Sequence, residues 1–195
     1  MPGIVVGVAI LAWLLVAGGP AQAHDVVSGV GGLPGGLLHP LLVPAHALAL
    51  LALGLALGQQ PRWRAGVLLF GVGLVAGITL IVAAFAITTD TAVLAVAAMA
   101  GMAVAVGRRL PLALAGPLAI VAGMAVALDS VPQEISMQTT FLALVGTAIS
   151  ATLAVMLVAG LSRRLARDWQ RIGLRIVGSW IAASAILVLA VRLGR

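Results

Sequence analysis

Six long apolar segments limit what this chain can fold into. Each is close to the roughly 20 residues that an α-helix needs to cross about 30 Å of hydrocarbon. They lie at residues 36–58, 65–87, 91–107, 110–128, 137–161 and 172–193. The strands of a membrane barrel are shorter and alternate between apolar and polar residues, which these segments do not do. The sequence therefore predicts an all-α fold, an integral membrane helical bundle with six transmembrane helices.

The charge content agrees with a membrane protein. Only 8% of the 195 residues are charged, whereas soluble domains carry about 25%. All eleven basic residues are arginines, and they lie in short clusters between apolar segments without interleaved aromatic side chains. This distribution indicates membrane topology rather than a nucleic-acid surface, so the lipid bilayer is an expected partner and nucleic acid is not. The absence of cysteine excludes disulfides and thiolate metal sites.

The N-terminus has the pattern of a cleavable signal peptide. An apolar core at residues 4–17 is followed by a Gly-Gly-Pro break and by Ala-Gln-Ala, which fits the small-x-small cleavage pattern. The alternative is an uncleaved membrane helix, because no basic side chain precedes the core. The predicted domains are a signal peptide at 1–23, a periplasmic N-terminal loop at 24–35 and a six-helix transmembrane domain at 36–195.

The arginine clusters predict the orientation of the bundle. They follow the first, third and fifth predicted spans, which places all three loops on one side of a six-span model. By the positive-inside rule this side is cytoplasmic. Most acidic residues fall on the other side, namely Asp25, Asp90, Asp129 and Glu134. We therefore expect a multi-pass protein of the bacterial inner (plasma) membrane, with its mature N-terminus in the periplasm.

Two of the three histidines, His39 and His46, lie at the start of the first predicted span. An ionisable side chain inside a membrane segment is by default a candidate functional site. On a regular helix two imidazoles seven residues apart share a face but stand about 10 Å apart, too far to bind one metal ion. Pro44 complicates this expectation, because an interior proline bends or opens a helix. We prefer a staged path, in which a metal ion passes from His39 to His46. The alternative is that the two histidines only pack between helices.

Four further candidate ligands lie outside the predicted spans. After signal cleavage, the α-amine and imidazole of His24 can chelate one divalent cation beside Asp25, and such nitrogen ligands suit nickel, cobalt, copper or zinc. The alternative is that His24 merely follows the cleavage site. Asp129 and Glu134 flank an outward loop, where they attract cations or serve as ordinary solvated charges. Together with His39 and His46, these residues form the predicted metal-ligand set.

A Gly-x-x-x-Gly pair, Gly73 and Gly77, predicts close helix contacts built from small residues. The contact is either a homo-oligomer interface or packing within one chain, and packing within the chain is the preferred interpretation.

The histidine segment resembles the signature of the HupE/UreJ family, membrane accessory proteins of hydrogenase and urease systems that are regarded as nickel permeases. The family pattern runs His-Pro-x-x-Gly-x-Asp-His-x-x-Ala-Met, followed by a glycine. Residues 39–50 read His-Pro-Leu-Leu-Val-Pro-Ala-His-Ala-Leu-Ala-Leu, with Gly54 after them. Val43 replaces the glycine, Ala45 the aspartate and Leu50 the methionine. The resemblance implies six spans and nickel handling. The family also carries histidine and glutamate residues around the fourth span, where this chain offers only Asp129 and Glu134 in their place. The change to Ala45 removes a ligand or a partner that would orient the ring of His46.

We therefore expect a permease or delivery protein for a divalent transition metal, with nickel first and cobalt, copper or zinc as alternatives. The predicted mechanism is a relay from His24 to His39 and then to His46. The alternative is a non-transporting membrane subunit or assembly factor of a larger complex. No catalytic residue set and no tightly bound cofactor are expected. Besides the bilayer and the metal ion, the expected partner is a metalloenzyme maturation system.

Overall fold

The computed structural model describes residues 31–83, 90–131 and 136–194. Within these ranges the chain forms seven helices and no strand. They are α1 (Gly32–Leu42), α2 (Pro44–Gly58), α3 (Trp63–Val82), α4 (Asp90–Val106), α5 (Leu112–Asp129), α6 (Met137–Arg164) and α7 (Asp168–Leu193). The all-α prediction is confirmed, and helices lie at all six predicted positions, the first of which is occupied by α1 and α2 together.

Within the described ranges the predicted count of six spans is not reached. By length and hydropathy, four of the helices described there are able to cross a membrane, or five if α1 and α2 form one bent span. The remaining helix, α4, has 17 residues, which gives a length of about 25 Å against about 30 Å of hydrocarbon. It ends before Gly107, whose φ of +69° is a conformation that does not continue a right-handed helix.

The first predicted span begins earlier than expected. Gly32 has a φ of +64° and opens α1, so residues 32–35 of the predicted loop are helical in the structure. The predicted signal peptide and the rest of the loop, residues 24–30, lie outside the described residues.

The helix α2 occupies the centre of the bundle. Ten of its fifteen residues are buried, and it contacts each of the other six described helices, most extensively α4 and α6. The remaining helices pack mainly in three pairs, α1 with α6, α3 with α5, and α4 with α7. This arrangement surrounds the apolar length of α2 and leaves its two ends near opposite ends of the bundle.

Glycines set the closest approaches in the three outer helix pairs. A Cβ atom at Gly73 of α3 would collide with the backbone carbonyl of Ile120 in α5, and one at Gly77 would lie 2.7 Å from the Ala127 side chain. The Gly-x-x-x-Gly pair therefore packs within the chain, as preferred from the sequence. Equivalent glycines bring the other two pairs together, at Gly36 and Gly146 and at Gly101 and Gly178.

The outer surface of the bundle is apolar around much of its circumference. Large hydrophobic side chains are strongly exposed on several helices, for example Leu68 and Trp180, each 72% exposed. A soluble monomer rarely exposes such extensive apolar surface. Together with the apolar helices, this surface is that of a multi-pass membrane protein.

Candidate functional site

The candidate site lies at the break between α1 and α2, whose axes differ in direction by 71°. Val43 separates the two helices and has extended backbone angles, φ −78° and ψ 114°. Pro44 imposes this geometry, because its ring disfavours a helical conformation in the preceding residue. Pro44 itself is the first residue of α2, a position at which a helix tolerates a missing N–H.

A second proline weakens α1 and is compensated from α6. Pro40 lies inside α1 and has no N–H to donate to the carbonyl oxygen of Gly36, four residues earlier. The Thr147 hydroxyl of α6 donates to this carbonyl oxygen at 3.2 Å. The two helices approach closely here, because Gly146 of α6 lies against the backbone of α1. Thr147 thus satisfies the carbonyl that Pro40 leaves without its helical partner and fixes the segment that carries His39.

The break brings the two imidazoles together. The ring centroids of His39 and His46 are 5.3 Å apart, and the rings meet edge to face at 67°. This differs from the separation of about 10 Å expected along a regular helix, because the chain turns sharply at Val43 between them. Two rings that bind one ion have centroids about 4–6 Å apart, since each bonds the metal at roughly 2.0–2.1 Å. The imidazoles are therefore close enough to share one ion.

The His46 ring is oriented by a carboxylate from a distant part of the chain. Nε2 of His46 lies 2.7 Å from Oδ2 of Asp129, 83 residues further on, at the last residue of α5. A carboxylate only accepts hydrogen bonds, so the Nε2–H group of His46 donates to it. In the neutral imidazole this leaves the lone pair on Nδ1. The His46 side chain is fully buried, whereas that of Asp129 is 15% exposed.

The Nδ1 atom of His46 is buried and has no hydrogen-bond partner among the described residues. A buried polar atom without a partner is uncommon in native proteins and calls for a ligand, an ion or water. The arrangement of carboxylate, imidazole and open ring nitrogen is the one by which proteins orient a metal-binding histidine.

Three residues of the predicted ligand set, His24, Asp25 and Glu134, lie outside the described residues. Within the described part of the chain, no group of three or more histidine, cysteine, aspartate or glutamate side chains is placed to hold a metal ion. What the structure joins is the trio of His39, His46 and Asp129, with Asp129 bonded to a ring nitrogen of His46.

Sequence reasoning named all three of these residues but missed how they are connected. It expected Asp129 in an outward loop, either attracting cations or as a solvated charge, whereas the structure places it against an imidazole in the first predicted span. It also missed the role of Thr147 in supporting α1. The signal for this role was Pro40 itself, since a proline inside a helix always leaves the carbonyl four residues earlier without its usual donor.

Comparison with protein families identifies a match over most of the chain. A family model described as HupE / UreJ protein matches residues 11–188, which include His39, His46 and Asp129. No curated protein and no solved structure matches the chain significantly.

Proposed function

The chain belongs to the HupE/UreJ family, and from this premise we propose that it carries or delivers a divalent transition metal across the membrane, with nickel as its first cargo. The family is associated with nickel or cobalt transport or with accessory roles. The proposal that the two histidines at the break bind this metal ion rests on the geometry around His46.

The open Nδ1 atom of His46 is the observation that carries the proposal. Asp129 holds the opposite ring nitrogen, which fixes the tautomer and aims the lone pair of Nδ1 away from the carboxylate. Imidazole nitrogen is a good ligand for nickel, cobalt, copper and zinc, and a poor one for magnesium or calcium. In the proposal Asp129 orients the ligand and does not itself bind the metal.

His39 provides the second nitrogen. It is only partly buried, and its ring is in contact with that of His46. In this arrangement His39 receives an ion at the more accessible position and shares it with His46. Two nitrogen atoms do not complete a site, because an ion such as zinc takes four ligands. In this proposal the further ligands come from His24, Asp25 and Glu134.

The proposed direction follows from the arginines. Arg109, Arg163, Arg171 and Arg175 lie around Gly58, the last residue of α2, whereas His46 is in the first turn of that helix. By the positive-inside rule the arginine end faces the cytoplasm, so the metal is captured on the periplasmic side.

Metal uptake into liposomes tests the proposal. Purified full-length protein is reconstituted, and the entry of nickel, cobalt, copper and zinc is followed for the wild type, His39→Ala and His46→Ala. We expect uptake of one ion, reduced at least tenfold in both variants, while helical content stays unchanged. Asp168→Asn, which alters an exposed carboxylate at the start of α7, is the control and should transport normally.

Uptake no greater than that of empty liposomes for all four ions would refute the transport proposal. Normal uptake by His46→Ala would refute the assignment of the site even if transport occurs.

One observation favours the second candidate, a non-transporting membrane subunit or assembly factor. Beyond His46 the interior is filled by apolar side chains of α2, including Ala49, Leu50 and Leu53, each at most 3% exposed. The hydroxyls of Thr147 and Ser150 donate to backbone carbonyls and do not line an open polar path. In this candidate function the histidines hold a metal for a partner without passing it through the bundle. Saturable metal binding without uptake would support it.

A further inference from the structure

A pocket of about 570 Å³ opens at the other end of α2 from His46. Gly58, at the pocket, follows His46 by twelve residues, which corresponds to about 18 Å along the helix. The pocket forms where α2, α4 and α6 end and α7 begins. It is separate from the histidine site, and the metal proposal makes no use of it.

The pocket carries a concentration of positive charge. Four arginines line it, Arg109, Arg163, Arg171 and Arg175, and no carboxylate does so among the described residues. Three helix C-termini meet here, and each contributes a partial charge of about −0.5 from its unpaired carbonyls. They offset less than half of the four positive charges, so the pocket stays electropositive.

Two of the arginines are anchored by backbone carbonyls. Arg163 donates through Nη1 to the carbonyl oxygen of Gln60 at 3.0 Å, and Arg175 donates through Nε to that of Ala105 at 2.8 Å. Each anchored guanidinium keeps further N–H groups available, because arginine has five donors. Such hydrogen bonds to carbonyls near helix ends explain why these two side chains are held in place.

The other two arginines are exposed and are not anchored in this way. The guanidinium groups of Arg109 and Arg171 form no hydrogen bond or ion pair with any residue of the described ranges. They come from different parts of the chain, the loop after α4 and the first turn of α7, yet they line the same pocket. Two unpaired guanidinium groups in one concave site are the usual means of holding a phosphate or carboxylate.

Gln60 adds an independent sign of a missing ligand. Its side chain is only 7% exposed and lines the pocket. Its Nε2 donates to the carbonyl oxygen of Ala56 at 3.2 Å, while Oε1 is buried without a partner among the described residues. Exchanging the positions of Oε1 and Nε2 would not satisfy the amide, because Oε1 would then face the carbonyl oxygen of Ala56. An unpartnered acceptor and two unpaired guanidinium groups therefore border the same pocket.

We propose that this pocket binds the phosphate group of a ligand that also carries a hydroxyl or ammonium donor. The phosphate is held by Arg109 and Arg171, and the donor reaches Oε1 of Gln60 when the amide turns toward the pocket. The volume lies within the range of small-molecule sites, about 300–1,000 Å³. Both a phospholipid headgroup and a soluble phosphate ester have this chemistry, and basic pockets between membrane helices are known to hold headgroups.

Binding to the full-length protein in neutral detergent micelles tests the proposal. The probes are dioleoylphosphatidylglycerol, which has a phosphate and hydroxyl donors; dioleoylphosphatidylcholine, which has a phosphate but no donor; and glycerol 3-phosphate. Lipid retention is measured by native mass spectrometry, and glycerol 3-phosphate binding by calorimetry. We expect wild-type protein to bind phosphatidylglycerol saturably and at least tenfold more tightly than phosphatidylcholine.

A matched pair of double variants separates the pocket from general surface charge. Arg109→Gln with Arg171→Gln removes the two guanidinium groups, and we expect at least tenfold weaker binding. Arg108→Gln with Arg164→Gln removes the same charge from neighbouring residues that do not line the pocket, and we expect less than a twofold change. Gln60→Leu should reduce the preference for phosphatidylglycerol over phosphatidylcholine.

The two sources of phosphate give different outcomes. Binding of the lipid alone identifies a headgroup site, and binding of glycerol 3-phosphate with the same dependence on Arg109 and Arg171 identifies a site for soluble esters. Equal loss of binding in both double variants would overturn the proposal. So would the absence of saturable binding of both phosphatidylglycerol and glycerol 3-phosphate. Equal affinity for the two lipids would overturn the role of Gln60.

Discussion

Asp129 and His46, 83 residues apart, are joined by a 2.7 Å contact between a carboxylate oxygen and a ring nitrogen. The contact links the last residue of α5 to the first turn of the central helix. The chain has alanine at position 45, where the family pattern has an aspartate, and the structure places the carboxylate of Asp129 against the same histidine. The ring is thus oriented from another helix.

Replacement of Asp129 should weaken metal binding without unfolding the protein. In Asp129→Asn the amide oxygen can still accept from His46, but the negative charge that supports the ligand is lost. Loss of such a partner costs about 10–100-fold in metal affinity. Calorimetric titration of the detergent-solubilised protein with nickel measures the change, with Asp168→Asn as the control. Unchanged affinity in Asp129→Asn would show that the carboxylate does not support a metal ligand.

The hydrogen bond from Thr147 to Gly36 should depend on Pro40. Thr147→Val leaves the Gly36 carbonyl without a donor, which should cost about 1–3 kcal/mol of unfolding free energy. Pro40→Ala restores a backbone N–H that can donate to this carbonyl. Equilibrium unfolding in mixed micelles measures both variants and their combination.

In the double variant the effect of Thr147→Val should be smaller by about 1 kcal/mol, because the helix now supplies the missing donor. Strict additivity of the two changes would contradict this interpretation of Pro40 and Thr147.

Pro44 should hold the two histidines close together. In Pro44→Ala, Val43 is free to become helical, and a straighter α1–α2 segment would separate the imidazoles toward the regular spacing of about 10 Å. We expect at least tenfold weaker metal binding. Spin labels at Leu33→Cys and Arg62→Cys report the bend directly, since the native chain has no cysteine, and their separation should increase by several ångströms. An unchanged distance would show that Val43 keeps its extended conformation without the proline.

Two glycines of α3 should respond oppositely to the same substitution. Gly73→Ala places a Cβ against the backbone of α5, whereas a Cβ at Gly71 meets nothing within 4 Å. We expect Gly73→Ala to destabilise the protein by about 1–3 kcal/mol. Gly71→Ala should be neutral or stabilising by up to about 1 kcal/mol, because alanine favours helices. Equal effects on unfolding in mixed micelles would argue against the close approach of α3 and α5.

The sequence predicted the helices well because apolar length is a local property. The predicted spans at 110–128, 137–161 and 172–193 each overlap a helix of the structure almost completely. The separation of His39 and His46 was predicted less well, since a single extended residue at Val43 overrides the regular helical spacing. The contact between His46 and Asp129 was beyond reach, because nothing near either residue indicates which distant side chain it will meet.

The central position of α2 has a consequence for biosynthesis. The ribosome makes α2 before α3, α4, α5, α6 and α7, so the helix that all of them contact is synthesised before its partners. His46 is translated 83 residues before the carboxylate that orients it. A nascent chain that stops short of Asp129 therefore has both histidines but lacks the partner that orients His46. The site is completed late in synthesis, when α5 has joined the bundle.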